Sequence, residues 1–440
     1  MKELIELFET FSGGAGLTLL TLVVVSFAAL LVVLGLYDSR FLIAVSILSY
    51  SLPLVNSSLL PPLSNVYIAL ALGLVVLLGM TRGKMPKFEL LRTGAFPATA
   101  VHLGLGILLL GFSVNTGESI GTAVSILIAA GYVWMLLSVA TPEEIRSSMR
   151  AALGVVVVVS VVFVLLNPGV GISGSEIDGS MNRWRGILEN PNALAALASM
   201  VFLLSNTQVG VIMTVIPTLV ILFGSGSRSS TLGLGVVMWP RIFARATPFM
   251  RRASMVVAIV AALPLLYAVF FTEGSPTPDD QSGVMRVTNT RAESWGYGTD
   301  AIKANLFGGI GLGNDRAASG ERMMHIHSSV LRPLTELGLP ALIPLGMVLA
   351  KAIQYLRAPE SSMRTIFAFL IIYGVFEGWI FAGGSLIFIV FLVSASLVDM
   401  DLRDDKAKTK RAARERLLGT VGRITSRGGA HTPASVDATL

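Results

Sequence analysis

The sequence predicts an all-α membrane protein with about 12 or 13 spanning helices and a large, partly helical loop on its outer face. Of its 440 residues, 53% are hydrophobic and only 14% are charged, whereas about 25% are charged in a typical soluble domain. A mean hydropathy of +0.74 leaves too few charges to coat two or three soluble domains. Lipid is therefore the expected solvent for most of the chain, and an ordinary soluble enzyme is excluded.

Apolar runs along the chain provide the predicted helices. A helix that crosses a bilayer needs about 20 predominantly apolar residues. By that criterion the predicted spans lie near residues 17–36, 41–60, 63–80, 95–113, 120–140, 148–167, 192–206, 209–224, 229–240, 253–271, 334–350, 365–381 and 384–398. We find no internal repeat of fixed period, which argues against an inverted-repeat transporter.

Basic residues between the apolar runs predict the orientation of the chain. Lys and Arg gather in the connections 81–94, 141–150, 241–252 and 351–364 and again after residue 399. Since cytoplasmic loops carry the excess of basic residues in membrane proteins, these segments are predicted to face the cytoplasm. This placement accounts for most of the pI near 9.6, and no nucleic-acid partner is expected.

Composition divides the chain into three predicted regions. Residues 1–180 form N-terminal transmembrane helices, and residues 181–400 form a transmembrane core that includes the outer loop 272–333. Residues 401–440 are polar, basic and rich in Ala, Thr, Gly and Ser, a composition that cannot bury a core. We therefore predict a disordered cytoplasmic tail at 401–440.

The remaining polar material falls on the predicted outer side. It comprises 168–191, a Gly/Ser turn at 224–230 and the long stretch 272–333. A loop of about 60 residues is too long to be a mere connector inside a compact bundle. Its first part, to about residue 283, is predicted to be flexible. Residues 286–333 have a helical pattern and are predicted to fold back over the membrane surface.

Four motifs lie on these outer segments. They read NRWRGILENPNALA from Asn182, GSGSRSS from Gly224, TRAESWGYGTDAIKANLFGGIGLGN from Thr290 and HSSVLRPLTELGLPAL from His327. In this order they resemble the O-antigen ligase and polymerase superfamily, bacterial membrane glycosyltransferases that transfer glycan from a polyprenyl diphosphate carrier on the outer face of the plasma membrane. The resemblance covers about residues 180–398 and implies a GT-C-like fold in the bacterial inner membrane.

The histidine segment matches the family in most detail. The family pattern is His, a small polar residue, Leu four positions on, Glu nine on and Gly eleven on. In this sequence those positions are His327, Ser328, Leu331, Glu336 and Gly338. Ser328 stands where Asn is commoner, and Ala341 stands where a second Gly is usual. Both departures leave the superfamily intact and the subfamily open.

Three arginines are predicted to bind the diphosphate. An enzyme that handles a lipid diphosphate must offset about two negative charges, and the guanidinium group binds phosphate oxygens in a fork. Arg228 opens an apolar segment, where a charge is costly unless it faces the interior. Arg291 lies on one helix face with Trp295, and the resemblance implies that it contacts the diphosphate. Arg185 is the third candidate. The alternatives are a snorkelling arginine, a surface arginine stacked on an aromatic ring and an ordinary loop charge.

His327 is the predicted catalytic histidine. His325 and His327 are two residues apart, so they would lie on different faces of a helix, and only His327 starts the family pattern. We expect His327 to position or deprotonate an acceptor hydroxyl; a structural hydrogen bonder is the alternative. Glu336 is predicted either to support the substrate-binding site or to cap the start of a helix. The glycine-rich turn at 308–313 is predicted to be a tight connector.

No metal or other cofactor is expected. The chain has no cysteine and four histidines, which argues against thiolate and multi-histidine metal sites. Its DxD sequence, Asp399 and Asp401, lies at the cytoplasmic edge and is predicted to be a solvated helix end. Asp279 and Asp280 lie in the flexible part of the outer loop. The arginines would then provide the charge stabilisation that Mg²⁺ provides in soluble sugar-nucleotide enzymes.

These residues and the resemblance imply an inverting, metal-independent transfer. Arg228 and Arg291, with help from Arg185, would hold the polyprenyl diphosphate, and an acceptor hydroxyl placed by His327 would attack the anomeric carbon. A lipid A-core acceptor would make the protein a ligase, a second lipid-linked glycan a polymerase, and a protein side chain an oligosaccharyltransferase. A lipid-linked-glycan flippase or other transporter and a peptidoglycan polymerase are the alternatives. Membrane lipids surround the protein in each case.

Overall fold

A computed structural model describes residues 38–55, 64–173, 183–205, 208–242, 283–322, 325–356, 358 and 360–428. The helices in these ranges are α1 (Ser39–Ser51), α2 (Ser64–Arg82), α3 (Phe96–Leu108), α4 (Thr116–Val139), α5 (Pro142–Leu166), α6 (Pro168–Gly171), α7 (Pro191–Leu204), α8 (Gln208–Ser225), α9 (Arg228–Ile242), α10 (Gly283–Ala304), α11 (Leu331–Leu337), α12 (Leu342–Leu356), α13 (Ser362–Phe376) and α14 (Leu386–Gly428). Short 3-10 turns cover Leu52–Leu54, Phe88–Arg92, Leu110–Phe112, Asn314–Arg322 and Leu339–Ala341. The all-α prediction is confirmed for the described residues, apart from one pair of two-residue strands.

The described helices coincide with the predicted apolar runs. Eleven of the 13 predicted spans lie on helices, and the runs at 17–36 and 253–271 fall outside the described residues. By length and composition, three described helical segments could cross a membrane: Thr116–Val139, Pro142–Leu166 and Leu339–Leu356. Six more apolar helices of 10–17 residues accompany them. The number of crossings stays a prediction.

Local sequence signals explain where several helices begin. Asn115 accepts a hydrogen bond from the amide of Glu118 and caps α4. Thr141 and Glu144 form a reciprocal capping box at the start of α5, whose first residue is Pro142. Such caps satisfy backbone amides that have no partner inside the helix. The two longest apolar helices are therefore delimited by their own sequence.

Helix α7 is the central element of the bundle. It packs against α5, α8, α9 and α13, and eleven of its 14 residues are buried. Four of the buried residues are alanines. They let the neighbouring backbones approach closely, as small residues do between membrane helices. Asn192, in the first turn of α7, is thereby partly buried, whereas the N-cap residue Asn190 stays exposed.

The strand pair positions the first outer segment. Strand β1 (Ile172–Ser173) pairs antiparallel with β2 (Arg183–Trp184). Strands of two residues are too short to show a periodic pattern in the sequence. Gly224 packs so tightly on the Trp184 ring that a side chain there would clash. Arg183 is thus held beside the turn between α8 and α9.

The predicted disordered tail is wrong for residues 401–428, because α14 continues through them to Gly428. Ala, Lys, Arg, Glu and Leu are strong helix formers. The preceding apolar helix also supplies the nucleus, so extension costs little. Residues 429–440 lie outside the described part of the chain.

The predicted solvated helix end at the DxD sequence is also wrong. Asp399 is buried and accepts hydrogen bonds from Lys351 Nζ and from the amide of Gly94, both at 2.7 Å. Asp401 pairs with Arg146, whose terminal nitrogen lies 2.7 and 2.8 Å from the two carboxylate oxygens. These carboxylates tie α14 to α12, α5 and the turn before α3.

Candidate functional site

The break between α13 and α14 creates the centre of the candidate site. The predicted span 365–381 ends early, because α13 stops at Phe376 and Glu377 has extended backbone. Gly378 lies against the Ile326 backbone with no space for a side chain. Phe381 adopts a positive φ of 64°, which a residue with a side chain rarely does. The apolar run is therefore interrupted at a buried carboxylate.

Glu377 joins residues from four separate parts of the chain. Its Oε1 accepts hydrogen bonds from Arg291 at 2.6 Å, from Asn192 at 2.9 Å and from Ser229 at 3.3 Å. Its Oε2 lies 3.6 Å from Nδ1 of His327. We call Arg183, Asn192, Ser229, Arg291, His327 and Glu377 the Glu377 cluster.

Arg183 enters the cluster through Asn192. Its guanidinium donates to Oδ1 of Asn192 and to the carbonyl of Ser225, both at 2.6 Å. Burial lowers the pKa of Arg183 below its ordinary value, and the positive charges of Arg291 and Arg228 lower it further, although Glu377 opposes them. Arg291 and Arg228 therefore lie within electrostatic range of Arg183.

Arg228 and Arg185 occupy different surroundings. Arg228 is the first residue of α9 and is exposed, within electrostatic range of Arg183. Arg185 donates to the carbonyl of Val170 at 2.8 Å, beside α6. Arg291 therefore lies at Glu377, Arg228 lies within electrostatic range of Arg183, and Arg185 is bound to the chain beside α6 instead. Binding of a diphosphate by Arg185, Arg228 and Arg291 stays a prediction.

His327 lies in a non-helical segment before α11, so the expectation that the two histidines lie on a helix is wrong. Its carbonyl accepts a hydrogen bond from Trp295 Nε1 at 2.9 Å, and its amide donates to Ser294 Oγ at 3.3 Å. Both partners belong to α10, the helix that carries Arg291. Its side chain remains 39% exposed, so His327 is fixed at the backbone and open at the ring.

A second group of charges lies on the other side of this segment. Arg332 approaches Asp315 at 3.4 Å and Glu336 at 2.9 Å. Nδ1 of His325 lies 3.0 Å from the second oxygen of Asp315, and Arg316 Nε donates to Nε2 of His325 at 2.7 Å. We call Asp315, Arg316, His325, Arg332 and Glu336 the Arg332 cluster.

The Arg332 cluster stabilises the ionised form of Asp315. Burial alone would raise the pKa of Asp315, but Arg332 and His325 stabilise its carboxylate and keep the pKa below the ordinary value.

Glu336 is not the predicted cap at a helix start. It lies in the last turn of α11, where it accepts a hydrogen bond from the amide of Gly313 at 3.1 Å. Its contacts within the described residues, to Arg332, Gly313 and His102, all lie in or beside the Arg332 cluster, away from His327. A substrate contact through Glu336 stays a prediction.

The glycine-rich turn fits the connector interpretation. Gly309, Gly311 and Gly313 have positive φ angles, and side chains at these positions would clash with α11 and with the chain at Ser113 and Thr122. The amides of Ile310 and Gly311 donate to the carbonyls of Thr335 and Glu336 at 3.0 and 2.9 Å. The turn locks α11 in place.

Sequence reasoning missed Glu377, Asn192, Asp315 and Arg332. A usable signal existed for Glu377, because it is an ionisable residue inside the predicted apolar span 365–381, and such residues are costly unless they have a function or a partner. Asn192 and Asp315 carry no comparable signal. Within the described ranges, no group of three His, Asp or Glu residues is arranged to hold a metal ion.

Comparison with protein families identifies part of the chain. Residues 213–346 match the family model described as O-antigen ligase. No curated protein matches the chain. The matched region contains Arg228, Arg291 and His327, whereas Arg183 and Glu377 lie outside it and reach these residues only through the fold.

Proposed function

We propose that this chain, a member of the O-antigen ligase superfamily of membrane enzymes, transfers a glycan from a polyprenyl diphosphate carrier to an acceptor hydroxyl. The transfer takes place at the outer face of the bacterial inner membrane. The observation that carries the proposal is the set of contacts at the Glu377 carboxylate: Arg291 and the open ring of His327 lie against it, and Arg183 is joined to it through Asn192. Arg228 lies within electrostatic range of Arg183.

The charge of the site fits a diphosphate. Arg183, Arg228 and Arg291 bring three positive charges and Glu377 brings one negative charge. The surplus of about two positive charges equals what a diphosphate needs for neutralisation. Because Glu377 is buried and Arg291 is mostly buried, the attraction at this end of the site is screened less than it would be in water. The arginines therefore suit both binding of the donor and stabilisation of the leaving group.

The reaction is a direct displacement at the anomeric carbon. The acceptor oxygen forms a bond to that carbon while its proton passes to Nε2 of His327. The bond between the anomeric carbon and the diphosphate oxygen breaks, and the electron pair leaves with the diphosphate. The arginines stabilise the growing charge on the leaving oxygen. Attack opposite the leaving group inverts the anomeric configuration, and the proposed step uses no metal or cofactor.

Arg183 contacts the diphosphate, a role that the sequence analysis predicted for Arg185. Arg183 lies within the cluster, whereas Arg185 is engaged with the carbonyl of Val170 beside α6. Glu336 acts from the Arg332 cluster, where it holds α11 rather than the diphosphate. Both Arg185 and Glu336 remain candidates for contacts with the glycan part of the donor.

Ligase and polymerase activity differ only in the acceptor. A lipid A-core acceptor corresponds to a ligase, and a second lipid-linked glycan corresponds to a polymerase. The matched family description favours the ligase. A flippase or transporter would have little use for an open histidine beside a carboxylate and three arginines.

Transfer by the purified protein tests this proposal. The protein in nanodiscs is supplied with a labelled polyprenyl diphosphate glycan and either lipid A-core or unlabelled lipid-linked glycan. We expect labelled product and free polyprenyl diphosphate, and we expect neither from Arg291→Ala. Movement of the carrier across proteoliposomes without cleavage would instead identify a transporter.

The proposed multi-pass topology has its own test. The chain has no native cysteine, so single cysteines can be introduced cleanly at the exposed positions Asp300 and Lys410. A membrane-impermeant thiol reagent should label Asp300→Cys in intact spheroplasts and should label Lys410→Cys only after lysis. The reverse pattern would invert the proposed orientation.

A further inference from the structure

We infer that Glu377 is a positioning residue for the transfer: its carboxylate holds the His327 ring with a proton on Nδ1, which leaves Nε2 free to take the proton of the acceptor. The inference rests on the proposed function and deepens it. Glu377 lies outside the matched family region, and no sequence motif assigns it a role. Its contacts in the fold carry the argument.

The two carboxylate oxygens of Glu377 have different partners. Oε1 receives hydrogen bonds from Arg291, Asn192 and Ser229, and three donors leave it little further capacity. Oε2 faces Nδ1 of His327 at 3.6 Å. Because an ionised carboxylate only accepts hydrogen bonds, it favours the form of the ring that has hydrogen on Nδ1.

The backbone of His327 is fixed independently of Glu377. Trp295 and Ser294 on α10 hold its carbonyl and amide, so rotation of the side chain is the freedom that remains. In the described part of the chain, Nε2 of His327 makes no hydrogen bond. The contact at Nδ1 therefore sets the orientation of the ring without occupying the nitrogen that the reaction needs.

Charge gives Glu377 a second effect on His327. The proton that His327 receives creates a positive ring beside a largely positive site. The groups facing this region from the packed elements are Arg183 on β2, Arg228 on α9, Arg291 on α10, Arg332 on α11 with its partners Asp315 and Glu336, and Tyr373 and Glu377 at the end of α13. Among the acids, Glu377 is the one whose carboxylate lies against Nδ1 of His327, so it offsets the repulsion that the protonated ring would otherwise meet.

The local fold does not depend on the Glu377 carboxylate. Ser329 Oγ donates to the Glu377 carbonyl at 2.6 Å and accepts from the amides of Trp379 and Ile380, both at 3.0 Å. Arg332 donates to the carbonyl of Gly378 at 2.9 Å. These bonds define the break between α13 and α14, so Glu377→Gln should fold while it loses the charge.

Chemical modification of the histidines tests the contact without any substrate. Diethyl pyrocarbonate acylates the neutral imidazole, so the modification rate at His327, followed by mass spectrometry across pH, reports the protonation of its ring. In Glu377→Gln the midpoint for His327 should move to lower pH, because the imidazolium has lost its carboxylate. The midpoint for His325 should stay in place, which provides an internal control.

Transfer kinetics test the consequence for catalysis. We expect Glu377→Gln to lower kcat roughly tenfold or more, since a positioned general base contributes about a hundredfold or more. The KM for the labelled donor should change only a few-fold. The acid limb of the pH–activity profile should shift to lower pH, and Glu377→Asp should restore part of both effects. Asp300→Asn, an exposed acid on α10, is the matched control and should behave like wild type.

The outcomes separate this inference from the proposed function. Coincident His327 midpoints in wild type and Glu377→Gln overturn the inference even if transfer is confirmed. A raised KM with an unmoved pH profile also overturns it, because Glu377 would then act only through Arg291. Absence of transfer by wild type would overturn the proposed function, and the modification experiment would still decide whether Glu377 controls His327.

Discussion

His325 and His327 present the same local arrangement in two different settings. Each is half-exposed, at 45% and 39% of its side chain, and each places Nδ1 against a buried carboxylate, Asp315 or Glu377. In His325 the other nitrogen accepts a hydrogen bond from Arg316. In His327 that nitrogen makes no hydrogen bond within the described residues. A histidine beside a carboxylate is therefore not a sufficient sign of a general base, because its second nitrogen must also be open.

The clusters around these histidines differ in charge balance. The Arg332 cluster sets two acids against Arg332, with Arg316 at its exposed edge. The Glu377 cluster, with Arg228 beside it, sets three arginines against one acid. A cluster with nearly equal numbers of positive and negative charges suits a contact that holds helices together. A cluster with a surplus of positive charge needs an anion to neutralise it. The comparison favours a structural role for the Arg332 cluster and supports the proposed binding of the diphosphate at the Glu377 cluster.

Single alanine variants of the two histidines have the largest expected difference in activity. His327→Ala should lower transfer roughly a hundredfold to ten-thousandfold, as loss of a positioned general base does, whereas His325→Ala should lose only a few-fold. Initial rates with the labelled donor measure both. A His325→Ala variant less active than His327→Ala would reverse the assignment of the two clusters.

Loss of an arginine should affect stability in one cluster and activity in the other. Arg332→Met strands the carboxyls of Asp315 and Glu336, and removal of one partner of a buried ion pair costs about 3 kcal/mol or more. Arg291→Met leaves Glu377 with its bonds from Asn192 and Ser229 and removes a repulsion with Arg183. Thermal unfolding in detergent should fall clearly for Arg332→Met and little for Arg291→Met. Equal destabilisation by both variants would contradict the proposed division.

Lysine variants test forked binding of the phosphates. Arg183→Lys, Arg228→Lys and Arg291→Lys keep the charge but lose the fork, and a lost charged hydrogen bond corresponds to roughly a tenfold to hundredfold drop in transfer. The drop should be similar with every acceptor. Arg185→Lys should lose less, because that guanidinium contacts the Val170 carbonyl. The order of Arg183 and Arg185 in this assay decides which of them serves the diphosphate.

The smallest expected effect concerns pH and the Arg332 cluster. The folded-state pKa of Asp315 lies below its ordinary value of 3.8, so its carboxylate stabilises the fold above about that pH and loses this contribution as pH falls further. Asp315→Asn should lower stability by about 1 kcal/mol at neutral pH. The difference from wild type, measured by thermal unfolding, should be constant between pH 5 and 8 and shrink below pH 4. A difference that stayed constant down to about pH 2 would contradict this assignment to the Asp315 carboxylate.

Several features of this protein follow from the sequence by itself. Apolar runs and caps determine the helices, because hydrophobic length and unsatisfied backbone amides are properties of consecutive residues. The motif order predicted a shared site for Arg228, Arg291 and His327. Arg291 and His327 both lie against Glu377, whereas the role of Arg228 stays a prediction. Composition alone predicted the tail wrongly. Residues 401–428 are helical, because they have high helix propensity and continue the preceding apolar helix.

Only the tertiary structure decided which charges meet. Glu377 contacts Arg291 across 86 residues and Asn192 across 185 residues, and no periodic pattern encodes such distances. The choice of Arg183 over Arg185 depends on a two-residue strand pair, which is too short to leave a signal. Asp399 pairs with Lys351 and Asp401 pairs with Arg146, and these partners too are distant in the sequence. Burial makes an unpaired charge costly, so packing, which brings distant segments together, selects the partner of each charge.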